Sequence, residues 1–388
     1  MKNNYLKISS IPKYTIFLLL YFFLYPFCKI VYGFRKIWII CERGFDAQDN
    51  GYVFFLYLKK NHPEINCRYL IDKKSSDFEK VNAAGKTVQY GSLKHFLMVL
   101  GSPVKISTHL FGYSPWIQLT KYYRRNSTFD KHIFLQHGII KNYHLGLTKD
   151  NCRSLDLFVC GAKPEYEYIL KEFNYNNTVP QYTGLPRYDL LVNPLHLKKQ
   201  IIIMPTWRSK IVDFSEEEFL KTDFYLYWKD VIENKELLRM MRNCNFLIKF
   251  YLHSSFQKYS KLFKSNEYVK VILYDDETVQ NLLIESKLLI TDYSSVYFDF
   301  AYLNKPIIYY QFDENDYYSS HYEKGYFDYR NNGFGDVCVN LNELLISVKK
   351  IIDNQFCIEN KYKERINQFF VFRDHDNCNR VFDSILKL

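Results

Sequence analysis

The stretch that most constrains this chain is Leu288-Leu289-Ile290-Thr291-Asp292-Tyr293-Ser294-Ser295-Val296-Tyr297-Phe298-Asp299-Phe300. An apolar run of strand length gives way to a few polar residues and resumes at helical spacing, which predicts a strand, a tight turn and a helix. Asp292, Ser294 and Ser295 stand where a helix cap is expected, so their oxygens can satisfy unpaired N–H groups of the first turn. The same turn suits an anion, because free N–H groups and the positive end of the helix dipole converge there. Read alone, it is more simply a helix cap.

The pattern around it repeats. From Ile37, strands are expected at Ile37 to Cys41, Cys67 to Asp72, Thr87 to Tyr90, Lys105 to Thr108, Lys131 to Gln136, Leu155 to Cys160 and Gln181 to Gly184, with helices between most of them. Asn193 to Lys199 reads as a linker, after which strands are expected at Ile201 to Met204, Phe246 to Tyr251, Val269 to Leu273, Lys287 to Thr291 and Ile307 to Tyr310. Strands alternating with helices predict parallel sheets covered on both faces. The expected α/β fold is therefore two Rossmann-like, doubly wound domains facing across a cleft, over residues 37–195 and 196–388, with the helix from Asn377 crossing back to the first domain. At 388 residues the chain is long enough for two cores.

Ahead of this body, Tyr14 to Phe34 is strongly apolar, with Lys2, Lys7 and Lys13 before it and Arg35 and Lys36 after it. No small-residue cleavage site follows, which argues against a signal peptide. The segment approaches the roughly 20 residues a spanning helix needs, but Pro26 and Lys29 interrupt it. Residues 1–36 are expected to be a membrane-associating segment, interfacial rather than spanning, with the basic flanks on anionic lipid. The competing reading is a buried first helix. A net charge of +10 without a basic block or nucleic-acid motif favours a membrane or nucleotide partner over nucleic acid. Nine cysteines, scattered singly, point to a reducing compartment rather than a disulfide framework.

His137, before Gly138, and His253 follow strands at corresponding places in the two halves. An imidazole at a strand's carboxyl end is placed to act as a base near neutral pH. Arg187, Arg208 and Lys249 lie at or near strand ends, where cations can clamp phosphate oxygens. Asp49 reads as a helix cap, and Asp299 as a residue that holds the helix after the serines. No P-loop, zinc-protease, serine-hydrolase or dinucleotide fingerprint occurs. No acidic cluster has metal-ligand spacing, so neither metal nor cofactor is expected.

Taken in order, Asp49-Asn50-Gly51, Gln136-His137-Gly138, Thr183-Gly184-Leu185-Pro186-Arg187-Tyr188-Asp189, Met204-Pro205-Thr206-Trp207-Arg208, Ile248 to His253, Thr291 to Asp299 and Lys305-Pro306 resemble the CDP-glycerol glycerophosphotransferase family of teichoic-acid and capsule synthesis. The resemblance implies a GT-B architecture and a peripheral enzyme at the cytoplasmic face of the bacterial membrane. The implied reaction moves glycerol phosphate, or ribitol phosphate, from a CDP-activated donor to a hydroxyl of a lipid-linked saccharide or polymer, releasing CMP. By the same resemblance His137 is the general base and His253 neutralises charge at the donor pyrophosphate. Arg208, Ser294 and Ser295 hold its phosphates, and Asp292 shapes the turn or contacts the polyol or ribose. Arg187, Lys249 and Asp49 stay as further substrate-binding candidates. Gln136 before His-Gly, Ile139-Ile140-Lys141 after it, Lys324-Gly325 and Gly335-Asp336 depart from the wall-polymerase pattern and suggest a capsule or surface-polysaccharide branch. Two alternatives stand beside this reading: a GT-B glycosyltransferase using a nucleotide sugar, and a catalytically silent membrane-bound scaffold. Oligomerisation is left open.

Overall fold

The structure is a computed structural model that describes residues 23–114, 130–152, 154–320 and 323–388. Its strands form two all-parallel sheets. The first contains β1 (Trp38–Cys41), β2 (Cys67–Ile71), β3 (Thr87–Gln89), β4 (Val104–Ser107), β5 (Lys131–Phe134), β6 (Leu157–Cys160) and β7 (Pro180–Tyr182), in the order 3-2-1-4-5-6-7. The second contains β8 (Gln200–Met204), β9 (Leu247–Tyr251), β10 (Val269–Ile272), β11 (Leu289–Thr291), β12 (Ile307–Tyr310) and β13 (Gly335–Cys338), in the order 10-9-8-11-12-13.

Strands such as β1 and β8 are buried along their whole length, as expected where helices cover both faces of a parallel sheet. Their near-continuous apolar runs made them legible. β13 was not anticipated: Gly-Asp-Val-Cys has neither a continuous nor an alternating apolar pattern, and it is recruited as an edge strand on β12. In both sheets the strand order reverses between the first and fourth strands, at β1/β4 and at β8/β11. Loops leaving the carboxyl ends at such a reversal frame a crevice where ligands bind.

The Asn377–Leu386 helix returns to the first sheet. Asp189 caps it, accepting from Asn377 N and Cys378 N at 2.8 Å each, and Phe382 packs 6.1 Å from Trp38. Gly184 has φ +78°, and a Cβ there would lie 1.9 Å from Asn377 Oδ1. A left-handed backbone and a close approach both require glycine at this point.

The expected membrane-associating segment lies partly outside the described residues, since 1–22 are not among them. The remainder packs on the first domain. Cys28 is buried, its carbonyl lies against Gly101 at the end of the Leu93–Gly101 helix, and Lys29 ion-pairs with buried Asp130, which also receives Lys105. Lys29, which interrupts the apolar run, is thus partly buried and directed at the first domain. The inner face behaves as the buried first helix of the competing reading. The outer face carries Phe23, Phe27, Ile30 and Phe34, between 64% and 90% exposed. Among the described residues no helix is long and apolar enough to cross a membrane.

Candidate active site

The first-domain wall of the cleft is built on two buried carboxylates. Glu42, just after β1, accepts from Gln48 N at 2.9 Å, Asp49 N at 3.0 Å and Tyr52 N at 2.8 Å. Burial, with Asp49 beside it, pushes its carboxyl up to about 8. This fixes the start of the Asn50–Asn61 helix, where Asp49 is the cap residue. Asn50 reaches across to donate to Gln136 O at 2.8 Å and accepts from Arg187 N at 3.0 Å. Glu165 does the same work for the turn after β5, accepting from Ile140 N and Gly161 N at 2.6 Å each and from Gln136 Nε2 at 3.0 Å. Burial raises it to about 7. Gln136 is held at φ 47°, a left-handed conformation uncommon for a non-glycine residue, and it delivers His137 to the cleft.

His137 stacks on His109, with ring centroids 4.7 Å apart and planes 8° from parallel. It keeps an open edge toward the cleft, while the surrounding walls exclude enough water to lower its pKa despite the opposing charge of Asp49. Burial lowers His109 to about 4. Both rings are neutral at neutral pH, the state a proton acceptor needs. Gly138 brings this turn to the second domain: a Cβ on it would lie 3.3 Å from Ser295 Oγ and 3.9 Å from Arg187 Nη2.

The second wall is the β8/β11 pair. Thr291 Oγ1 donates to Met204 O at 2.6 Å. Fully buried Asp292 accepts from Thr206 N at 2.8 Å, Tyr293 N at 2.6 Å and Arg208 Nη2 at 2.8 Å. Of the two roles expected for Asp292, the geometry uses it to shape the turn. Beyond it Ser294 is half-buried and Ser295 is exposed. Val296 N donates to Ser294 Oγ at 3.4 Å, whereas Ser295 makes no side-chain cap bond to the Val296–Tyr302 helix.

The expected phosphate cations are otherwise engaged. Arg208 grips Asp313 with Nε at 2.8 Å and Nη2 at 3.0 Å, donates to Thr206 O at 2.6 Å, and lies among the rings of Phe224, Tyr293 and Tyr317. Burial disfavours its charge, but Asp292 and Asp313 hold its pKa above the ordinary value. Arg187 is bidentate on Asp299, at 3.0 and 2.8 Å, and donates to Asp49 Oδ1 and His137 O at 2.7 Å each. Lys249 pairs with Glu277. Arg187, Asp49 and Asp299 thus form a clamp beside the His137 turn, as buried charges find partners of opposite sign.

His253 begins the Ser254–Leu262 turn, with Nδ1 accepting from Ser255 N at 3.2 Å, and stacks near Trp207. Burial, with the charges of Arg43 and His137, lowers it to about 4. With Nδ1 accepting, the neutral ring carries its proton on Nε2. The lowered pKa favours the neutral ring, with Nε2–H left as a donor.

Sequence reasoning missed Glu42, Glu165, His109, Asp313 and Arg43. Arg43 is exposed, bound to Asp46 through Nε at 2.9 Å, and its charge acts on His109, His137 and His253 alike. Its place in the turn after β1 was the available signal. A separate cleft of about 790 Å³, lined by Tyr143, Tyr168 and Tyr326, holds none of the predicted site residues. Among the described residues no three His, Cys, Asp or Glu side chains gather as a metal site.

Known proteins with the same features complete the description. Residues 34–387 match the family described as CDP-Glycerol:Poly(glycerophosphate) glycerophosphotransferase. The chain is 33% identical over 370 residues to the minor teichoic acid biosynthesis protein GgaB of Bacillus subtilis (strain 168), across 92% of this chain and 40% of that protein. It is 29% identical over 268 residues to a teichoic acid glycerol-phosphate transferase of Staphylococcus aureus, across 64% of each. It thus spans less than two thirds of either relative. Among solved structures, the wall teichoic acid polymerase TagF superposes with TM-score 0.69 at 16% identity, covering 99% of this chain and 98% of that one. A UDP-GlcNAc 2-epimerase from Neisseria meningitidis superposes with TM-score 0.54 at 11% identity, over 91% of this chain and all of that one. These likenesses agree with the two-sheet fold, and the extent of the family match, with a relative at 33% identity over nearly the whole chain, places this chain in the CDP-glycerol:poly(glycerophosphate) glycerophosphotransferase family.

Proposed function

We propose that this chain transfers glycerol phosphate or ribitol phosphate from a CDP-activated polyol to a hydroxyl of a lipid-linked saccharide or polymer, releasing CMP, in capsule, surface-polysaccharide or teichoic-acid synthesis. The observation that carries the reading is the meeting of the His137-Gly138 turn with Ser295 across the cleft. The donor sits on the second-domain turn and the acceptor enters over the first domain. His137 takes the proton of the acceptor hydroxyl as its oxygen bonds to the polyol-bearing phosphorus. The bond from that phosphorus to the CMP oxygen breaks, and CMP leaves with the electron pair. His253 offers Nε2–H to a phosphate oxygen, Ser294 and Ser295 add hydroxyls, and Arg43, exposed and paired to Asp46 through Nε alone, adds positive charge. Catalysis of this kind rests on positioning and on offsetting charge at the phosphate oxygens. The reading assigns no cofactor.

The placement that fits is the cytoplasmic face of the membrane. Phe23, Phe27, Ile30 and Phe34 recur at helical spacing on the outer side of a segment whose inner side is docked, the arrangement of a helix lying in the interface.

The test is nucleotide release from purified protein with a lipid-linked acceptor, using CDP-glycerol, CDP-ribitol and UDP- and GDP-sugars, with and without EDTA. CMP release from a CDP-polyol, unaffected by EDTA, is expected. UDP or GDP release would install the glycosyltransferase alternative, and no binding of any nucleotide would leave the scaffold reading.

A further inference from the structure

Buried cations in this protein have oxygen partners. Arg187, Arg208 and Lys249 each hold a carboxylate, and Lys305 donates to the carbonyls of Leu283 and Ile284. Lys141 is different. It follows the His137-Gly138 turn and is only 6% exposed, yet among the described residues no oxygen accepts a hydrogen bond from its Nζ. The ammonium lies 5.3 Å from the centroid of the Tyr329 ring, in the second domain. The charge that favours its protonation is Asp292, whose oxygens already receive Thr206 N, Tyr293 N and Arg208. Burial outweighs that help and lowers Lys141 to about 7.

The side chain is held in this place. Glu165 ties Ile140 N at 2.6 Å, and the Lys141 carbonyl packs so closely on the second domain that a Cβ on Gly325 would lie 1.9 Å from it. A nearly buried ammonium with no hydrogen-bonded oxygen is unfavourable, so added negative charge near Lys141 and the Asp292 turn would be stabilising. A CDP-activated polyol brings such charge to that turn.

We propose that Lys141 binds a phosphate oxygen of the nucleoside-diphosphate donor, so that the first domain contributes a cation to a ligand seated on the second. This rests on the donor reading above. Donor binding then links the two domains directly, since the anion is shared between Lys141 and the serine turn.

Calorimetry with CDP-glycerol and CDP-ribitol, and melting curves with and without them, test the inference on wild type, Lys141→Met and Lys141→Gln. The expected result is a loss of donor affinity of about 10- to 100-fold in Lys141→Met, with KM raised more than kcat is lowered. Its ligand-free melting temperature should be no lower than that of the wild type, because methionine removes an unpaired buried charge. Donor affinity within twofold of wild type in both variants overturns the inference. So does a lowered ligand-free melting temperature with unchanged affinity, which marks a packing role. If the wild type itself binds no CDP-polyol, the functional reading falls first and the inference falls with it.

Discussion

Arg187 holds both carboxylate oxygens of Asp299 across the cleft, at 3.0 and 2.8 Å, while its remaining N–H groups fasten Asp49 and the carbonyl of His137. One guanidinium thus sets the His137 turn of the first domain against the helix that follows the serines in the second. Asp299→Asn breaks the bidentate pair and leaves Arg187 buried with a poorer partner. A loss of about 3–5 kcal/mol is expected from disrupting a buried pair this way, together with lower turnover as His137 loses its register. Urea unfolding and CMP release on the same preparation check both. Unchanged stability would show that the pair contributes nothing net.

His137→Ala should fold normally and lose about 10²- to 10⁴-fold in turnover, the usual contribution of a positioned base. Because the pKa of His137 is lowered, the basic form persists into mild acid. The acid limb of the wild-type rate profile should lie below the ordinary imidazole value of about 6.5. A limb at or above that value would contradict the lowered pKa.

His109 titrates near 4 in the folded protein, against about 6.5 in an unfolded chain. Between these values the unfolded chain binds more protons, so the contribution of His109 to stability is fully present above 6.5 and is lost as pH falls through 4. His109→Gln should match the wild-type pH dependence of melting above 6.5 and decline less steeply below it. Parallel curves throughout would remove His109 from the acid response.

The two serines should separate. Ser294→Ala removes the acceptor for Val296 N and is expected to cost about 1 kcal/mol, as for a lost cap. Ser295 makes no cap bond, so Ser295→Ala should leave melting unchanged and raise KM for the donor about tenfold. The reverse assignment in thermal melts and donor titrations would refute this division.

Replacing Phe27 and Ile30 together by Asp puts charge on the outer face of the N-terminal segment without touching Cys28 or Lys29. Co-sedimentation with anionic vesicles should fall while the melting temperature holds. A drop in melting temperature with undiminished sedimentation would show that this face is part of the core.

The reach of the sequence follows from how local each feature is. Twelve of the strands could be read, most plainly those such as β1 and β8 that are buried on both faces and so apolar over their own length, and the turn at Asp292 because capping chemistry is confined to a few neighbouring residues. The edge strand Gly335–Cys338 escaped because only its neighbour β12 makes it a strand. The histidines could be placed at strand ends, but their protonation could not, since it depends on burial and on charges that only the fold brings near them.

The sequence by itself determined the two α/β halves, the crevice between strand ends and which polar residues stand at its rim, because each is written in the apolar spacing of short segments. Only the tertiary structure decided which charges are spent and which are available. Arg187 meets Asp299 from 112 positions away and Arg208 meets Asp292 from 84, pairings that depend on how the sheets face one another. The Thr291–Asp299 stretch accordingly changes character in the folded chain: Asp292 and Asp299 are its structural anchors, and Ser294 and Ser295 are what it presents to the cleft.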